Sequence, residues 1–426
     1  MRREASEPAL AAPLALPCGV VLANRIAKAP MTEGLADAGD DATPALVRLY
    51  RRWAEGAAGL LVSGNVMVDR RFLERSGNVV VDQHSDETAL RAWATARPGG
   101  APLWLQLNHP GRQCNRFHTH EPVAPSPVPL ALGGLFARPR ALAAAEIEAL
   151  VEAFGAAAAR VRRLGFGGVQ VHAAHGYLIS QFLSPRTNLR SDAWGGSLAN
   201  RARFLLAVVR AVREAVGPAF PVSVKLNAAD FLRGGFEHHE AVEVARWLAA
   251  AGVDLVEVSG GTYERVAFVD AHQPASTTRA REAYFLAYAR AIREALGRTP
   301  LMLSGGFRTP AAMDAALAEG EVDVLGVGRP FCLEPGLARR LVAGHRAPLP
   351  SPERGIRVGP GPLGPGSRSR FVRSLNAQGA TAWFYEQIYR LARGEEPEER
   401  PGWAAAVAAR HLWQDARRAR QRRWRA

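Results

Sequence analysis

The chain alternates between two kinds of segment eight times, and this alternation constrains its fold more than any other feature. Each unit begins with a short run of β-branched and aliphatic residues and continues into a segment with helical spacing. Such units predict parallel strands joined by right-handed crossovers, and eight of them predict an α/β fold of the closed (β/α)8 TIM barrel type. An open doubly wound sheet is the alternative, but no GxGxxG turn follows the first strand. The predicted strands are residues 25–32, 59–68, 101–111, 167–176, 221–231, 253–262, 300–310 and 322–331.

Segments on either side of these units predict additions to the barrel. LALPCGVVLAN, before the first strand, predicts an N-terminal hairpin that closes the bottom of the barrel. Proline and glycine become dense after about residue 345 and indicate an extended connector. The stretch RSLNAQGATAWFYEQIYRLARG then predicts a helix that packs on the barrel or on a second subunit. We therefore expect a barrel over residues 1–345 and a connector with a basic helical C-terminal extension over 346–426.

Composition excludes several classes of protein. The net charge is +14, but nearly all cations are arginine, with Lys28 and Lys225 the only lysines, which indicates compositional bias more than nucleic-acid binding. Much of the excess lies in the terminal ARRARQRRWRA, a solvated tail unless it meets an acidic partner or RNA. Three scattered cysteines cannot form a zinc or iron–sulfur cluster. No apolar run approaches the ~20 residues of a membrane span, so we expect a cytoplasmic protein, with a homo-oligomer possible.

Residues suited to chemistry fall where the predicted strands end. In a barrel of this type the active site lies at the carboxyl ends of the strands. The candidates are Pro30, Met31, Thr32, Gly64, Gln106, His172, His175, Tyr177, Lys225, Gly305, Gly306, Gly328 and Arg329.

The turns after the last two strands predict a phosphate site. Gly305 and Gly306 let backbone N–H groups approach an anion, and Arg329 adds a cationic fork. Thr309 and Pro310 have the pattern of a helix N-terminus, which favours negative charge. The alternative is that these glycines only form tight turns.

Lys225 lies on the same strand face as Ser223 and Asn227, opposite the aliphatic set, and therefore points into the barrel. A charge there needs a partner. It could form a Schiff base, face the electron-rich edge of a bound ring, or pair with Glu257. Gln106 also points inward, and its amide can both donate to and accept from a heterocycle.

His172 and His175 stand three residues apart, with Tyr177 two further on. A metal would need another ligand, and although Glu257 and His109 are conceivable, no HExxH or carboxylate cluster supports them. The histidines could instead be structural, or could converge as N–H donors on a carbonyl oxygen while Tyr177 supplies a proton to the adjacent carbon. The last arrangement requires a hydride donor, and a flavin phosphate would fit the glycine and arginine site.

The motifs NRIAKAPMT, LQLNHPGR, VHAAHGYLISQFLSPRTNLRSDAWGGSLANRARF, SGGF and GVGRPF resemble those of the Old Yellow Enzyme family, in the same order, over roughly residues 10 to 345. The resemblance implies an FMN-containing barrel that is reduced by NADPH or NADH. It also implies reduction of activated alkenes such as α,β-unsaturated carbonyl compounds, and neither a resident metal nor a nucleic-acid partner.

The resemblance also implies a role for each candidate. Thr32 would bond the flavin O4 edge, and Pro30, Met31 and Gly64 would line the ring. Gln106 would hold the pyrimidine edge and Lys225 would stabilise the anionic reduced flavin, although many members carry arginine there. Gly305, Gly306, Gly328 and Arg329 would hold the phosphate. His172 and His175 would bind the substrate carbonyl, with Tyr177 as proton donor.

Three other functions stay open at this point. An RNA-modifying flavoenzyme of the dihydrouridine-synthase type is suggested by APMTEGLAD and the basic tail. Enzymes of that type use a cysteine as proton donor, and Cys114 lies just past the third strand, in a loop that does not match their motif. A lyase would use Lys225 as a Schiff base. A non-enzymatic flavin-binding scaffold would act through the C-terminal extension.

Overall fold

The computed structural model describes residues 9–398 except 99, 132, 133, 135, 261–277, 353, 354 and 365, together with 413 and 417. Eight parallel strands close into a barrel in which each strand is paired with the barrel strands before and after it in the chain, and the last is paired with the first. This confirms the predicted (β/α)8 fold. The barrel strands are β3 (Ile26–Lys28), β4 (Leu60–Met67), β5 (Leu103–Asn108), β8 (Gly168–Ala173), β9 (Val222–Asn227), β10 (Leu255–Ser259), β11 (Leu301–Ser304) and β12 (Val324–Val327).

Helices follow the strands and cover the outside of the barrel. Several start at side-chain caps: Thr43, Asp86 and Ser197 each accept a backbone N–H from the first turn. The short α4 (Leu178–Leu183) starts directly after Tyr177. The other helices are α1 (Pro44–Ala54), α2 (Glu87–Ala94), α3 (Ala144–Arg163), α5 (Leu198–Val216), α6 (His238–Ala250), α7 (Thr278–Leu296), α8 (Pro310–Ala318), α9 (Leu337–Val342) and α10 (Arg370–Arg393). None of the described helices has both the length and the apolar character needed to cross a membrane.

Two pairs of short strands lie outside the barrel. β1 (Leu14–Ala15) and β2 (Val21–Leu22) form the predicted antiparallel hairpin. Leu16 and Leu22 of the hairpin are buried in a cluster with inward-facing Trp104, so the hairpin closes one end of the barrel. In the long loop after β5, β6 (Val123–Ala124) pairs in parallel with β7 (Arg140–Ala141).

The C-terminal helix packs on the barrel. In α10 the side chain of Trp383 is buried, and Arg48 of α1 donates to the carbonyl of Ala392 at 3.0 Å. Phe384 lies beneath the guanidinium of Arg329, 5.7 Å from ring centroid to Cζ. The predicted helix is therefore present and reaches the turn after the last barrel strand. The basic tail lies outside the described residues except for residue 417.

A buried histidine follows β5. The ring of His109 packs 4.8 Å from that of Phe72, measured between centroids. Its Nδ1 accepts the backbone N–H of Gly111 at 3.1 Å, so the neutral ring carries its proton on Nε2. Burial lowers the pKa of His109 from 6.5 to about 4.

We expect His109 to make the fold sensitive to acid. Between pH 6.5 and about 4 the unfolded chain carries a proton on this ring and the folded chain does not. The stability that the neutral ring confers is complete above pH 6.5 and is lost as the pH falls toward 4, by about 3 kcal/mol. Urea unfolding at several pH values should show a shallower acid loss for His109→Asn than for the wild type. The exposed His84 gives the matched control His84→Asn, which should keep the wild-type slope; equal slopes in all three proteins would contradict the assignment.

Candidate active site

A cavity of about 340 Å³ opens at the carboxyl ends of the strands. Its wall combines glycine turns from one side of the barrel with cationic and histidine side chains from the other. Eight of the predicted site residues line it: Pro30, Met31, His175, Lys225, Gly305, Gly306, Gly328 and Arg329. Five more, Thr32, Gly64, Gln106, His172 and Tyr177, are connected to that wall by the contacts described below.

An ion pair at the centre of the barrel fixes the lysine. The ammonium of Lys225 donates to Oε1 of Glu257 at 2.6 Å, and both side chains are buried. Glu257 also accepts from Gln170 at 2.9 Å, and Gln170 in turn accepts from Gln106 at 2.8 Å. The predicted inward direction of Lys225 and its pairing with Glu257 are therefore both seen. Because Lys225 lines the cavity while Glu257 is fully buried, the cavity meets the positive member of the pair.

The turn after β11 presents backbone to the cavity. Gly305 and Gly306 have φ angles of 100° and 86°, a left-handed conformation that glycine adopts without strain. Ser304 lines the cavity, and its buried hydroxyl has no hydrogen-bond partner among the described residues. Thr309 and Pro310 stand at the N-cap and first position of α8, as predicted. With Arg329 following the neighbouring strand β12, this end of the cavity suits an anion.

The two histidines are neutral and differ in their partners. Nδ1 of His172 accepts the backbone N–H of Ala174 at 3.2 Å, which leaves its proton on Nε2. Burial, then His175, then Lys225 lower the pKa of His172 well below its usual value. Burial and then Lys225 do the same for the pKa of His175. Both rings can therefore donate a hydrogen bond, and neither is an imidazolium at neutral pH.

His175 is held in a left-handed backbone conformation, with φ of 61°. The backbone N–H of His175 donates to Oδ1 of Asn227 at 3.1 Å, and its backbone carbonyl accepts from Nε2 of Gln113 at 3.2 Å. Its Nε2 lies 2.8 Å from the hydroxyl of Ser259, and a hydrogen bond joins the two, with its direction set by the tautomer of the ring. Partners on β9, on β10 and in the turn after β5 thus hold a conformation that costs on the order of 1 kcal/mol or more in a non-glycine residue.

Tyr177 packs against the first histidine. The rings of His172 and Tyr177 meet edge to face with centroids 4.8 Å apart. The phenol oxygen accepts a hydrogen bond from Nδ2 of Asn65 at 3.3 Å, and Oδ1 of Asn65 accepts from the hydroxyl of Thr32 at 2.7 Å. Asn65 thus joins Thr32, which is predicted to bond the flavin O4 edge, to Tyr177, which is predicted to donate a proton.

β4 is supported by residues that the sequence did not identify. Glu33 accepts the N–H of Gly64 at 2.8 Å and the hydroxyl of Tyr50. Lys28 lies next to Tyr50 and donates to the Val62 carbonyl at 2.8 Å. Burial lowers the pKa of Lys28 to about 8. The rarity of lysine in an arginine-rich chain was the available signal for Lys28, whereas Glu33 had none.

Gly64 is in close contact with the turn after β3. A Cβ on residue 64 would lie 2.6 Å from the Cα of Thr32 and would collide with the carbonyl oxygen of Met31. Only glycine therefore lets β4 approach these two residues closely enough to build this part of the wall.

The open alternatives find less support in the geometry. The thiol of Cys114 is fully buried and its sulfur donates to the carbonyl of Gly111 at 3.2 Å, so it faces no substrate. Burial raises its pKa strongly. Glu257, one of the conceivable metal ligands, is instead paired with Lys225. Within the described part of the chain, no three His, Cys, Asp or Glu residues are grouped to hold a metal ion.

The residues present fit FMN. A flavin needs a planar slot with hydrogen-bonding groups along one edge and an anion site at the far end. Here Met31, against which Gly64 packs closely, lines the cavity together with Lys225. The Ser304 hydroxyl, which has no hydrogen-bond partner among the described residues, adjoins the glycine turn that lines the cavity with Arg329.

Comparison with known proteins agrees with this fit. Residues 9–347 match the model of the NADH:flavin oxidoreductase / NADH oxidase family. The chain is 38% identical over 356 residues to the NADH-dependent flavin oxidoreductase iliE of Hypocrea jecorina, covering 78% of this chain and 88% of that protein.

Two solved structures share the fold. An old yellow enzyme homologue from Zymomonas mobilis superposes with a TM-score of 0.69 at 27% identity, covering 81% of this chain and 95% of that one. Morphinone reductase in complex with tetrahydroNAD superposes with a TM-score of 0.66 at 28% identity, covering 81% of this chain and 93% of that one. The chain therefore belongs to the NADH:flavin oxidoreductase family of Old Yellow Enzyme type, as an FMN oxidoreductase that uses NADH or NADPH.

Proposed function

We propose that this flavin oxidoreductase reduces the C=C bond of α,β-unsaturated carbonyl compounds or similarly activated alkenes. The observation that carries the proposal is the contact between the neutral His172 and Tyr177, beside a cavity faced by Lys225. This contact supports the proposal because it brings a hydrogen-bond donor and a phenol together beside the cavity in which the flavin would bind. The RNA-modifying alternative is not favoured, since the buried Cys114 cannot act as its proton donor.

Each residue would have a distinct task. Pro30, Met31, Thr32, Gly64 and Gln106 would border the flavin ring, with Gly305, Gly306, Gly328 and Arg329 at its phosphate. When bound, FMN would supply the hydride transfer from the nicotinamide to the alkene.

On the substrate side, the Nε2–H of His172, with His175, would polarise the carbonyl oxygen and so stabilise negative charge that develops there. Tyr177 would give its proton to the carbon next to the carbonyl. Because both histidines are neutral, they would act as hydrogen-bond donors and leave proton transfer to the tyrosine.

The direct test separates the two halves of the reaction. The anaerobic holoenzyme is reduced with NADH or NADPH, and return of the oxidised flavin spectrum is followed after 2-cyclohexenone is added. Rapid return supports the proposal. A protein that is reduced but ignores enones, enals, maleimides and nitroalkenes would contradict it.

Tyr177→Phe should slow this reoxidation by about 100-fold or more, because general acid catalysis commonly contributes that much. Reduction by the nicotinamide needs no proton from Tyr177 and should change by less than about twofold. Stopped-flow absorbance measures both rates in one instrument. Equal slowing of the two half-reactions would show that the tyrosine acts on the structure of the site and not as the proton donor.

Lys225→Met should destabilise the fold by about 3–5 kcal/mol, because it leaves Glu257 buried without its cation. Lys225→Met with Glu257→Gln removes both charges and should recover most of that stability. The double variant still lacks the positive charge that would lie nearest the flavin, so the midpoint potential of bound FMN should shift negative. A lost stabilisation of about 1.4 kcal/mol corresponds to a shift on the order of 30 mV. Spectroelectrochemistry and urea unfolding measure the two effects. An unchanged potential in the double variant would assign Lys225 a structural role only.

Arg329→Gln should weaken FMN binding by about 10- to 100-fold, because it removes a charge-assisted bond to phosphate. Riboflavin lacks the phosphate and serves as the matched ligand, whose affinity should stay the same. Fluorescence titration of the apoprotein gives both dissociation constants. Equal weakening of both ligands would place the effect on the ring and not on the phosphate.

A further inference from the structure

Asn65 faces the barrel interior only because β4 contains a bulge. Val62 is paired with Trp104, but Asn65 is paired with Gln106, so three steps on β4 match two on β5. In a regular strand Asn65 would share the face of Leu61, which packs toward the helices. The extra residue reverses this, and Asn65 lies buried inside, next to the cavity residues.

The orientation of the Asn65 amide follows from a backbone donor. The N–H of Arg75 donates to Oδ1 of Asn78 at 2.9 Å, so the other end of that amide is its NH₂ group. The NH₂ of Asn78 lies 3.2 Å from one end of the Asn65 amide, and because an NH₂ group donates, the atom at that end must be Oδ1. The Thr32 hydroxyl donates to the same oxygen. The NH₂ of Asn65 is left to point at the oxygen of Tyr177, 3.3 Å away.

An oxygen that accepts from Asn65 directs its own proton away from Asn65. The proton of the Tyr177 hydroxyl therefore does not point at the Asn65 amide, and the ring beside it packs against His172. The hydrogen bond from Asn65 becomes stronger once the Tyr177 oxygen is negatively charged, because hydrogen bonds to charged acceptors are the stronger ones.

We propose that Asn65 is a positioning residue for proton donation by Tyr177. The inference rests on the proposed alkene reduction. The Tyr177 O–H bond breaks, a C–H bond forms at the carbon next to the carbonyl, and the electron pair stays on the phenol oxygen. Asn65 Nδ2–H stabilises that oxygen until solvent returns a proton. The hydride that completes the reduction comes from the reduced cofactor.

Two substitutions at Asn65 give different expectations. Asn65→Leu keeps the volume and removes the donor, and should slow enone-dependent reoxidation by about 10- to 100-fold while reduction by NADH stays within about twofold. Asn65→Asp is ionised at neutral pH, since Thr32 and Asn78 donate to it, and would draw the Tyr177 proton toward itself. Enone-dependent reoxidation of Asn65→Asp should be at least as slow as that of Asn65→Leu. The rate should recover as the pH falls, because the protonated carboxyl becomes a donor. Asn65→Leu should not recover.

A double-mutant cycle tests whether Asn65 acts through the tyrosine. In a Tyr177→Phe background, Asn65→Leu should cost almost nothing further. A readout independent of turnover is the tyrosinate absorbance, with the Tyr177→Phe protein as reference. Its signal should appear at higher pH in Asn65→Leu than in the wild type. FMN affinity and thermal unfolding, measured on every variant, show that the site remains assembled.

The outcomes separate this inference from the proposed function. If Tyr177→Phe reoxidises at the wild-type rate, the proton-donor role itself is wrong. If Tyr177→Phe is slow but Asn65→Leu is normal, only the role of Asn65 is wrong. If the two substitutions multiply in the double variant, Asn65 acts independently of Tyr177 and the inference is overturned.

Discussion

The ion pair between Lys225 and Glu257 is the constraint on which the rest of the site depends. A charge inside a closed barrel must be paired, because neither partner could stay buried alone. The pair uses neighbouring positions of β9 and β10, and Gln170 occupies the second carboxylate oxygen. Apolar side chains, Trp104 among them, fill the barrel toward the hairpin, so polarity is confined to the end where the strands open. The barrel interior therefore presents the ammonium of Lys225 to whatever binds there.

The only two lysines of the chain are both buried. An ammonium is a compact donor, whereas a guanidinium brings five N–H groups that all need acceptors. Lys28 has the Val62 carbonyl and the Tyr50 hydroxyl within reach, and the face of Trp53 lies 4.4 Å away. Such a site satisfies an ammonium but not an arginine. This gives a physical reason for lysine at position 28 in a chain whose cations are nearly all arginine.

The sequence predicted the barrel and the direction of Lys225, because both follow from regular periodicities. It did not predict that Asn65 faces inward, because a bulge shifts the alternation by one residue; the glycine within β4 was the only sign. Nor did it predict the link from Glu33 to Gly64, since that carboxylate returns to the sheet from a loop. The left-handed turn at His175 depends on partners from distant segments, which no local pattern encodes.

The same positive charge also decides how the proposed chemistry is divided among the side chains. Burial and Lys225 together keep the pKa of His175 low, and burial, His175 and Lys225 keep the pKa of His172 low. A neutral imidazole can polarise a carbonyl, but it is a poor proton donor to carbon. The acid must therefore be a group that is neutral before it gives up its proton, and so does not add a second cation beside Lys225. A phenol meets that condition, and in the proposed reaction the amide of Asn65 would stabilise the charge that the phenol acquires.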